Sequence, residues 1–304
     1  MSTCFLVVCL NPTIQKTFRL PRLEAGQVNR VADHRTDASG KGVNVTRILT
    51  QLGERAVHLT QVGGRQRDLF LSLAAEDGLD VQYVDCEIEI RHCYTLLDEA
   101  ESSTTEIVEP GSRVPADLER RVRARYLELL PDAHTVIISG SKAPGFSDEL
   151  YPAMVAEARS RGAAVVLDVR GRDLIGSLPH GPSLLKINVN EFSATFLDET
   201  LPEETPPEEM PAAIGEQMRT LRRTYGTEVV LTNGARPVMH ADDETIELIA
   251  PVRVSPVNAI GSGDAVTAGV AAGLRRGMPM RDAIALGLDC ARKNVQLEKP
   301  GTIE

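Results

Sequence analysis

No apolar run in this sequence reaches the length needed to cross a bilayer, which excludes a membrane protein built on spanning helices. The opening residues, Met1–Cys4 leading into Phe5–Leu10, lack a basic leader and a small-residue cleavage site. A first strand of a cytoplasmic protein is expected there. Basic clusters are also missing, and the formal net charge is −10. Neither nucleic acid nor an anionic membrane is then expected as the main partner. Five cysteines (Cys4, Cys9, Cys86, Cys93, Cys290) are scattered without zinc-type spacing, as reduced thiols of a cytoplasmic protein would be. Cys9 and Cys93 have no evident histidine partner in sequence, so nucleophilic cysteine chemistry is not expected. Walker spacing is absent, and no Gly-x-Gly-x-x-Gly follows the first strand, which speaks against a dinucleotide-dependent oxidoreductase. Internal repeats and clear linkers are missing as well.

What remains is an ordinary globular composition, 42% hydrophobic and 25% charged over 304 residues, enough for one large core. Apolar runs at Phe5–Leu10, Ala56–Val62, Thr135–Ser139, Ala163–Asp168, Leu184–Asn188 and Glu228–Thr232 predict strands. Amphipathic stretches at Val43–Leu52, Asp68–Asp77, Ala116–Leu130, Asp148–Arg161 and Ala212–Tyr225 predict helices between them. This alternation predicts an α/β fold with a mostly parallel sheet covered on both faces, and ligands beyond the carboxyl ends of its strands. Two regions break the pattern. Thr17–Arg22 with Asn29–His34, and Arg91–Asp98 with Thr104–Val108, predict a small antiparallel flap that covers a ligand or a second subunit. Two peripheral hairpins would read the same way. Asp198–Pro211, with six acidic residues and four prolines, predicts a solvated loop.

Chemistry concentrates in the turns. Gly261-Ser262-Gly263-Asp264 opens a helix continued by Ala265, Ala268, Ala271, Ala272 and Leu274. Backbone N–H groups at such a start suit an anion, and the carboxylate beside them is either an N-cap or a piece of phosphate chemistry. Ser39-Gly40-Lys41-Gly42-Val43-Asn44 opens another helix, with a lysine between glycines where an anion can approach the backbone closely. An incidental lysine in a strand-to-helix turn is the alternative. Ser139-Gly140-Ser141-Lys142 ends a strand with hydroxyls able to bind a polyol. Asn188 and Glu191 lie three apart after Lys186, either as a capping pair or to orient water around Mg²⁺. Leu231-Thr232-Asn233-Gly234-Ala235 ends a further strand.

In this order the segments Leu10-Asn11-Pro12, Gly40-Lys41-Gly42-Val43-Asn44, Asn188-Val189-Asn190-Glu191 and Gly261-Ser262-Gly263-Asp264 resemble the phosphofructokinase B family of sugar kinases, with a ribokinase-like fold. Lys41 together with Gly-Ser-Gly-Asp is most similar to the branch of 1-phosphofructokinase and tagatose-6-phosphate kinase. The resemblance implies one kinase domain over 1–304, a β lid over about 15–36 and 90–109, and ATP and Mg²⁺ as cofactors. It implies a homodimer joined through the lid. Asp264 would be the base, with Gly261, Ser262 and Gly263 forming an anion hole. Asn11, Gln15, Gly40, Lys41, Asn44, Arg91, Ser139 and, more weakly, Arg30 would bind the sugar phosphate. Lys186, Asn188, Glu191, Thr232, Gly234 and Asn294 would serve ATP, with Asn188 and Glu191 on the metal side.

Three departures stand out. The family places an aspartate where this chain has Gln15, which carries no charge. Lys142-Ala143 replaces Leu-Pro, and Asp168-Val169-Arg170-Gly171 replaces Asp-Thr-Ser-Gly, adding positive charge near the expected cleft or only at the surface. The expected reaction is phosphorylation of a phosphorylated ketohexose, fructose 1-phosphate first, then tagatose 6-phosphate or fructose 6-phosphate. A kinase of an unphosphorylated sugar or nucleoside, and a sugar-phosphate-binding regulator without turnover, are the alternatives. Gln15 is the best support for the regulator.

Overall fold

A computed structural model describes residues 5–201, 204–242 and 244–304. Cys4, Pro202 and Glu203 lie outside the described residues. In chain order the strands and helices are β1 (Phe5–Val8), β2 (Thr13–Leu20), β3 (His34–Ser39), α1 (Lys41–Gln51), β4 (Ala56–Gly63), α2 (Arg67–Glu76), β5 (Asp80–Cys86), β6 (Arg91–Asp98) and β7 (Ser103–Val108). The second half runs α3 (Leu118–Leu129), β8 (Thr135–Ser139), α4 (Leu150–Ser160), β9 (Ala164–Asp168), α5 (Gly171–Ser177), β10 (Leu184–Asn188), α6 (Val189–Phe196), α7 (Ala212–Tyr225), β11 (Glu228–Asn233), β12 (Arg236–Ala241), β13 (Ile246–Ile249), α8 (Ser262–Arg275) and α9 (Met280–Asn294).

Nine strands form the main sheet in the order β13-β12-β11-β10-β9-β8-β1-β4-β5. From β11 to β5 all neighbours are parallel, and β12 and β13 extend one edge as antiparallel strands. Both faces are covered, so successive residues of one strand serve different cores. Leu6 and Val8 pack with Val122, Tyr126, Met154 and Leu174 on one side. Phe5 and Val7 pack with Ile48, Ala268, Val270 and Ile284 on the other.

The expected flap exists as a second sheet, β3-β2-β6-β7. Its two antiparallel hairpins are joined by a parallel pairing of β2 with β6, Thr13 opposite Arg91 and Leu20 opposite Asp98. The first hairpin is displaced from the expected positions. Its strands are 13–20 and 34–39, and residues 29–33 belong to the connection. A third apolar cluster, with Ile14, Ala38, Val43, Val62 and Phe70, seats this lid on α1, α2 and β4.

Because β1, β8, β9, β10 and β11 are parallel neighbours, their carboxyl ends open in one row. Register places Ser139 beside Asp168, and Asn188 beside Thr232. The predicted turns therefore meet along one edge of the main sheet.

Candidate active site

The turn before α8 is built for close approach. Gly261 has φ 83°, and a Cβ there would lie 2.5 Å from the Gly301 nitrogen, so only glycine fits. Asn258 fastens the turn by accepting from the Ile260 N–H (3.0 Å) and donating to the Glu298 carbonyl (2.8 Å). Buried Asn294 donates to the Ile260 carbonyl (3.0 Å) and accepts from the Thr302 N–H (3.2 Å). Asn294 thus holds the turn from behind. At the start of α8 the Gly263 and Asp264 amides have no acceptor within their own helix, and the dipole favours negative charge there. Lys186, buried at the end of β10, puts its ammonium 3.0 Å from where a Cβ on Gly263 would sit.

Asp264 is 6% exposed. Its Oδ2 accepts from Asn44 Nδ2 at 2.8 Å. Burial raises its pKa to about 6 against the pull of the Lys41 ammonium; the Asp168 carboxylate raises it further, and the Asn44 bond opposes the rise. Asp168, at the end of β9, is the hub of the site. It accepts from Lys41 Nζ (3.1 Å), Thr267 Oγ1 (3.2 Å) and Ser139 Oγ (3.4 Å), and Lys186 Nζ lies 3.6 Å away. Burial alone would raise the Asp168 pKa, but the Lys186 and Lys41 ammoniums hold it below the usual carboxylate range. For Lys41, burial acts to lower the pKa and the Asp168, Glu191 and Asp264 carboxylates overcome it, so the ammonium stays charged. Four elements distant in sequence therefore deliver two carboxylates and two ammoniums to one point.

A profile of the pfkB family carbohydrate kinases matches residues 6–304. The chain belongs to that family. It is a phosphotransferase that acts on a hydroxyl group. Its backbone is similar to that of phosphofructokinase-2 from Escherichia coli solved in complex with substrates and products, with a TM-score of 0.86 and 22% identity over 97% of this chain and 94% of that one. It is equally similar to a protein described as a possible 1-phosphofructokinase from Thermotoga maritima, with a TM-score of 0.85 and 23% identity over 97% and 93%. At these identities the likeness establishes the ribokinase-like fold.

Around the central cluster of this kinase, Asn11 and Arg91 line one pocket with Gly111 and Ser112. Asn11 donates to Ser141 Oγ at 3.4 Å. Arg91 donates from Nη1 to the Glu109 carbonyl (3.2 Å), while its buried Nε has no partner among the described residues. Gln15 is buried on the lid and donates to Thr95 Oγ1 at 2.6 Å. Gly40, at φ 113°, caps α1. Arg30 is exposed in the β2–β3 connection and is not gathered with the others.

At the ends of β10 and β11, Asn188 is the N-cap of α6, accepting from the Glu191 N–H at 2.7 Å. The Glu191 carboxylate faces Arg170 at 3.8 Å. Thr232 donates to the Ile187 carbonyl at 3.5 Å. Gly234 lies under the Glu204 side chain, which accepts from the Ala235 N–H at 3.0 Å. The Thr205 carbonyl accepts from Asn233 Nδ2 at 2.7 Å, so Glu204 and Thr205 of the expected solvated loop pack onto the strand end. Of the two added cations, Lys142 is already paired: this half-buried residue bonds the Ser147 carbonyl (2.7 Å) and Asp173, with its ammonium 5.0 Å from the Tyr151 ring centroid. Arg170 alone adds exposed charge beside Glu191.

Sequence reading passed over two residues. Asp168 figured only as a departure, although a lone carboxylate closing an apolar strand was the available signal. Arg47, on the apolar stretch of α1, is 2% exposed and makes hydrogen bonds to five residues, and an arginine among Val45, Ile48 and Leu49 was its only mark.

Proposed function

We propose that this carbohydrate kinase transfers the γ-phosphate of ATP, with Mg²⁺, to a hydroxyl of a phosphorylated ketohexose. Fructose 1-phosphate is the first candidate, followed by tagatose 6-phosphate and fructose 6-phosphate. The observation that carries this reading is the buried Asp264 carboxylate at a helix N-terminus, with the Lys41 turn on one side and Lys186 on the other. Phosphoryl transfer needs positioned charge more than covalent help, and that arrangement supplies it. Asp264 accepts the proton of the attacking hydroxyl. With a pKa of about 6 it is ionised at neutral pH yet more basic than an ordinary aspartate. The Gly263 and Asp264 amides and Lys186 face the charge that develops on the transferred group, whereas the Ile260 and Ser262 amides are already donated to Asn258 Oδ1 and the Ala259 carbonyl.

Arg91, whose buried Nε has no partner among the described residues, and Lys41 suit the phosphate already on the sugar. Asn11, Gln15, Gly40, Asn44 and Ser139 suit its hydroxyls. Thr232 and Gly234 suit the base and ribose of the nucleotide, and Asn294 serves by holding the hole. Mg²⁺ would offset charge on the nucleotide phosphates. No group of three metal-ligating side chains occurs among the described residues. The Asn188 oxygen is engaged in its cap. Glu191 is then the acidic group left to hold Mg²⁺ through water, which fits an ion carried mainly by phosphates and water.

Residues 1–304 act as one kinase domain in this reading, with a lid over about 15–36 and 90–109. No helix among the described residues is long and apolar enough to cross a membrane, in keeping with a cytoplasmic enzyme. Val28, Ile107 and Val108 leave apolar surface exposed on the lid, which supports a homodimer joined there. A tetrameric inhibited form is known for phosphofructokinase-2 from E. coli.

A regulator without turnover remains a second reading, because uncharged Gln15 is locked to Thr95 where a carboxylate was expected. ATP consumption measured across the three sugar phosphates and their free sugars separates the two. Turnover of one phosphorylated ketohexose above its free sugar supports the kinase. Binding of all three sugar phosphates without ATP loss supports the regulator.

A further inference from the structure

We propose that Arg47 is a positioning residue for the reaction: it fixes the amide orientation of Asn44, which holds Asp264 ready as the base. The inference rests on the reading of Asp264 given above. Asn44 carries an oxygen and a nitrogen of nearly equal shape, and its surroundings decide which faces the carboxylate. Its Oδ1 accepts from Arg47 Nη1 (3.2 Å) and from Ser39 Oγ (3.2 Å). An arginine can only donate, so the oxygen stays on that side. Nδ2 is then left to donate to Asp264 Oδ2 at 2.8 Å. A reversed amide would set its oxygen against the carboxylate and its nitrogen against a guanidinium thereby deprived of its acceptor.

Arg47 is itself held from several sides. Its Nε donates to Asp77 Oδ2 (2.8 Å), Nη2 to the Ala38 carbonyl (2.6 Å), and Nη1 also to the Pro300 and Gly301 carbonyls (3.2 and 3.3 Å). Lys299 bonds Asp77 and lies 3.6 Å from Asp37, which pairs with Arg35 on β3. Gly301 is pressed against Asn44, since a Cβ on it would lie 2.3 Å from the Asn44 Cβ. Arg47 thus ties the lid strand, α1 and the segment after α9 to one amide that touches the base.

Removing this control weakens an N–H bond to the ionised carboxylate, so the Asp264 proton is held more tightly. The other groups facing Asp264 are Lys41 of α1, Asp168 of β9, Lys186 of β10 and Cys9 after β1. All of them remain in the variants below, and a sugar phosphate's own titration is common to every profile. The test is the pH profile of kcat/KM in wild type, R47K, S39A and D77N. R47K keeps the charge and loses the fork; S39A removes the second donor and leaves the ion pairs.

The acidic limb should rise by about one pH unit in R47K, the size of a charge-assisted hydrogen bond. It should rise by less in S39A and stay at the wild-type position in D77N, whose amide oxygen still accepts from Nε. Unmoved limbs in both R47K and S39A overturn the positioning role. So does an equal shift in D77N, which would make the ion pair the agent. D264N is measured alongside: a dead D264N with unmoved limbs removes only the Arg47 role, whereas an active D264N removes the base itself.

Discussion

The two sheets bury different chemistry. In the main sheet, β1 and β8 are buried at every position, and apart from Thr135 and Ser139 all of those residues are apolar. In the lid, one buried face of β2 carries Thr13, Gln15 and Thr17, opposite Arg91, Cys93 and Thr95, with Asp37 and Ser39 on β3. Burying polar groups costs free energy unless each finds a partner. Strands β1 and β8 avoid that cost and supply rigidity, while β4 of the same sheet leaves both His58 ring nitrogens and Gln61 Oε1 without partners among the described residues. The lid accepts it, and two of its polar atoms, Thr17 Oγ1 and Arg91 Nε, are left without partners among the described residues. A surface arranged in this way is complete only with a ligand or another chain against it.

The sharpest test of this division lies where the sheets' products meet. D264N should lower kcat by about three orders of magnitude or more, while nucleotide affinity changes little. Its stability should move the other way. The folded pKa of Asp264 is about 6, above the usual aspartate value of 3.8, so its contribution to stability is present below about pH 4 and is lost as pH rises through 6. At pH 8 the amide variant should therefore unfold at higher temperature than wild type, by an amount corresponding to roughly 2–3 kcal/mol. Near-normal turnover in D264N would unseat the base.

Next in size, K41A should raise KM for the sugar phosphate about tenfold to a hundredfold with a smaller change in kcat. A free sugar, if used at all, should be unaffected. An equal loss on both substrates would show that Lys41 serves Asp168 alone.

A third prediction concerns an unpaired buried group of the main sheet. His58 on β4 is fully buried with both ring nitrogens unpartnered among the described residues, and burial drives its pKa down to about 3. The unfolded chain takes up this proton below pH 6.5 and the native one does not. Its share of stability is thus complete above pH 6.5 and declines toward pH 3, with a slope of about 1.4 kcal/mol per pH unit. Urea unfolding at several pH values should show that slope, flattened in H58Q.

The smallest effect is expected from T17V. Replacing an unpartnered buried hydroxyl by a methyl should stabilise the free protein by about 1 kcal/mol. If the variant instead weakens self-association or sugar binding, the hydroxyl belongs to that contact.

Legibility in the sequence follows the same division. The strands at 135–139 and 184–188 and the helix at 212–225 were read to the residue, because apolar runs or a clear helical stripe marked them. The edge strands β5 and β13 escaped, since half-exposed edges mix charge with apolar residues, and β12, paired between β13 and β11, escaped with them. The first hairpin was misplaced because Thr13-Ile14-Gln15-Lys16-Thr17 shows no apolar alternation: Thr13, Gln15 and Thr17 are buried yet polar, and Ile14 alone marks the face seated on the body. Within the site, Asp264, Lys41 and Lys186 sit in or beside glycine turns and could be found locally. Asp168 and Arg47 take their meaning from partners 127 and 253 positions away, a relation only the fold displays.

The parallel join between β2 and β6 has a consequence for how this enzyme comes apart. It brings together backbone positions 78 residues apart, such as Thr13 and Arg91, and the main-sheet strands between them pair without its help. Closing so long a span comes late in folding. The still longer β1–β8 span is buried in the main core, whereas this one rests on the small apolar cluster beneath the lid, so it reopens first. Amide hydrogens of β2 and β6 should therefore exchange through partial openings that leave β8 and β9 protected, and added sugar phosphate should slow the first pair selectively.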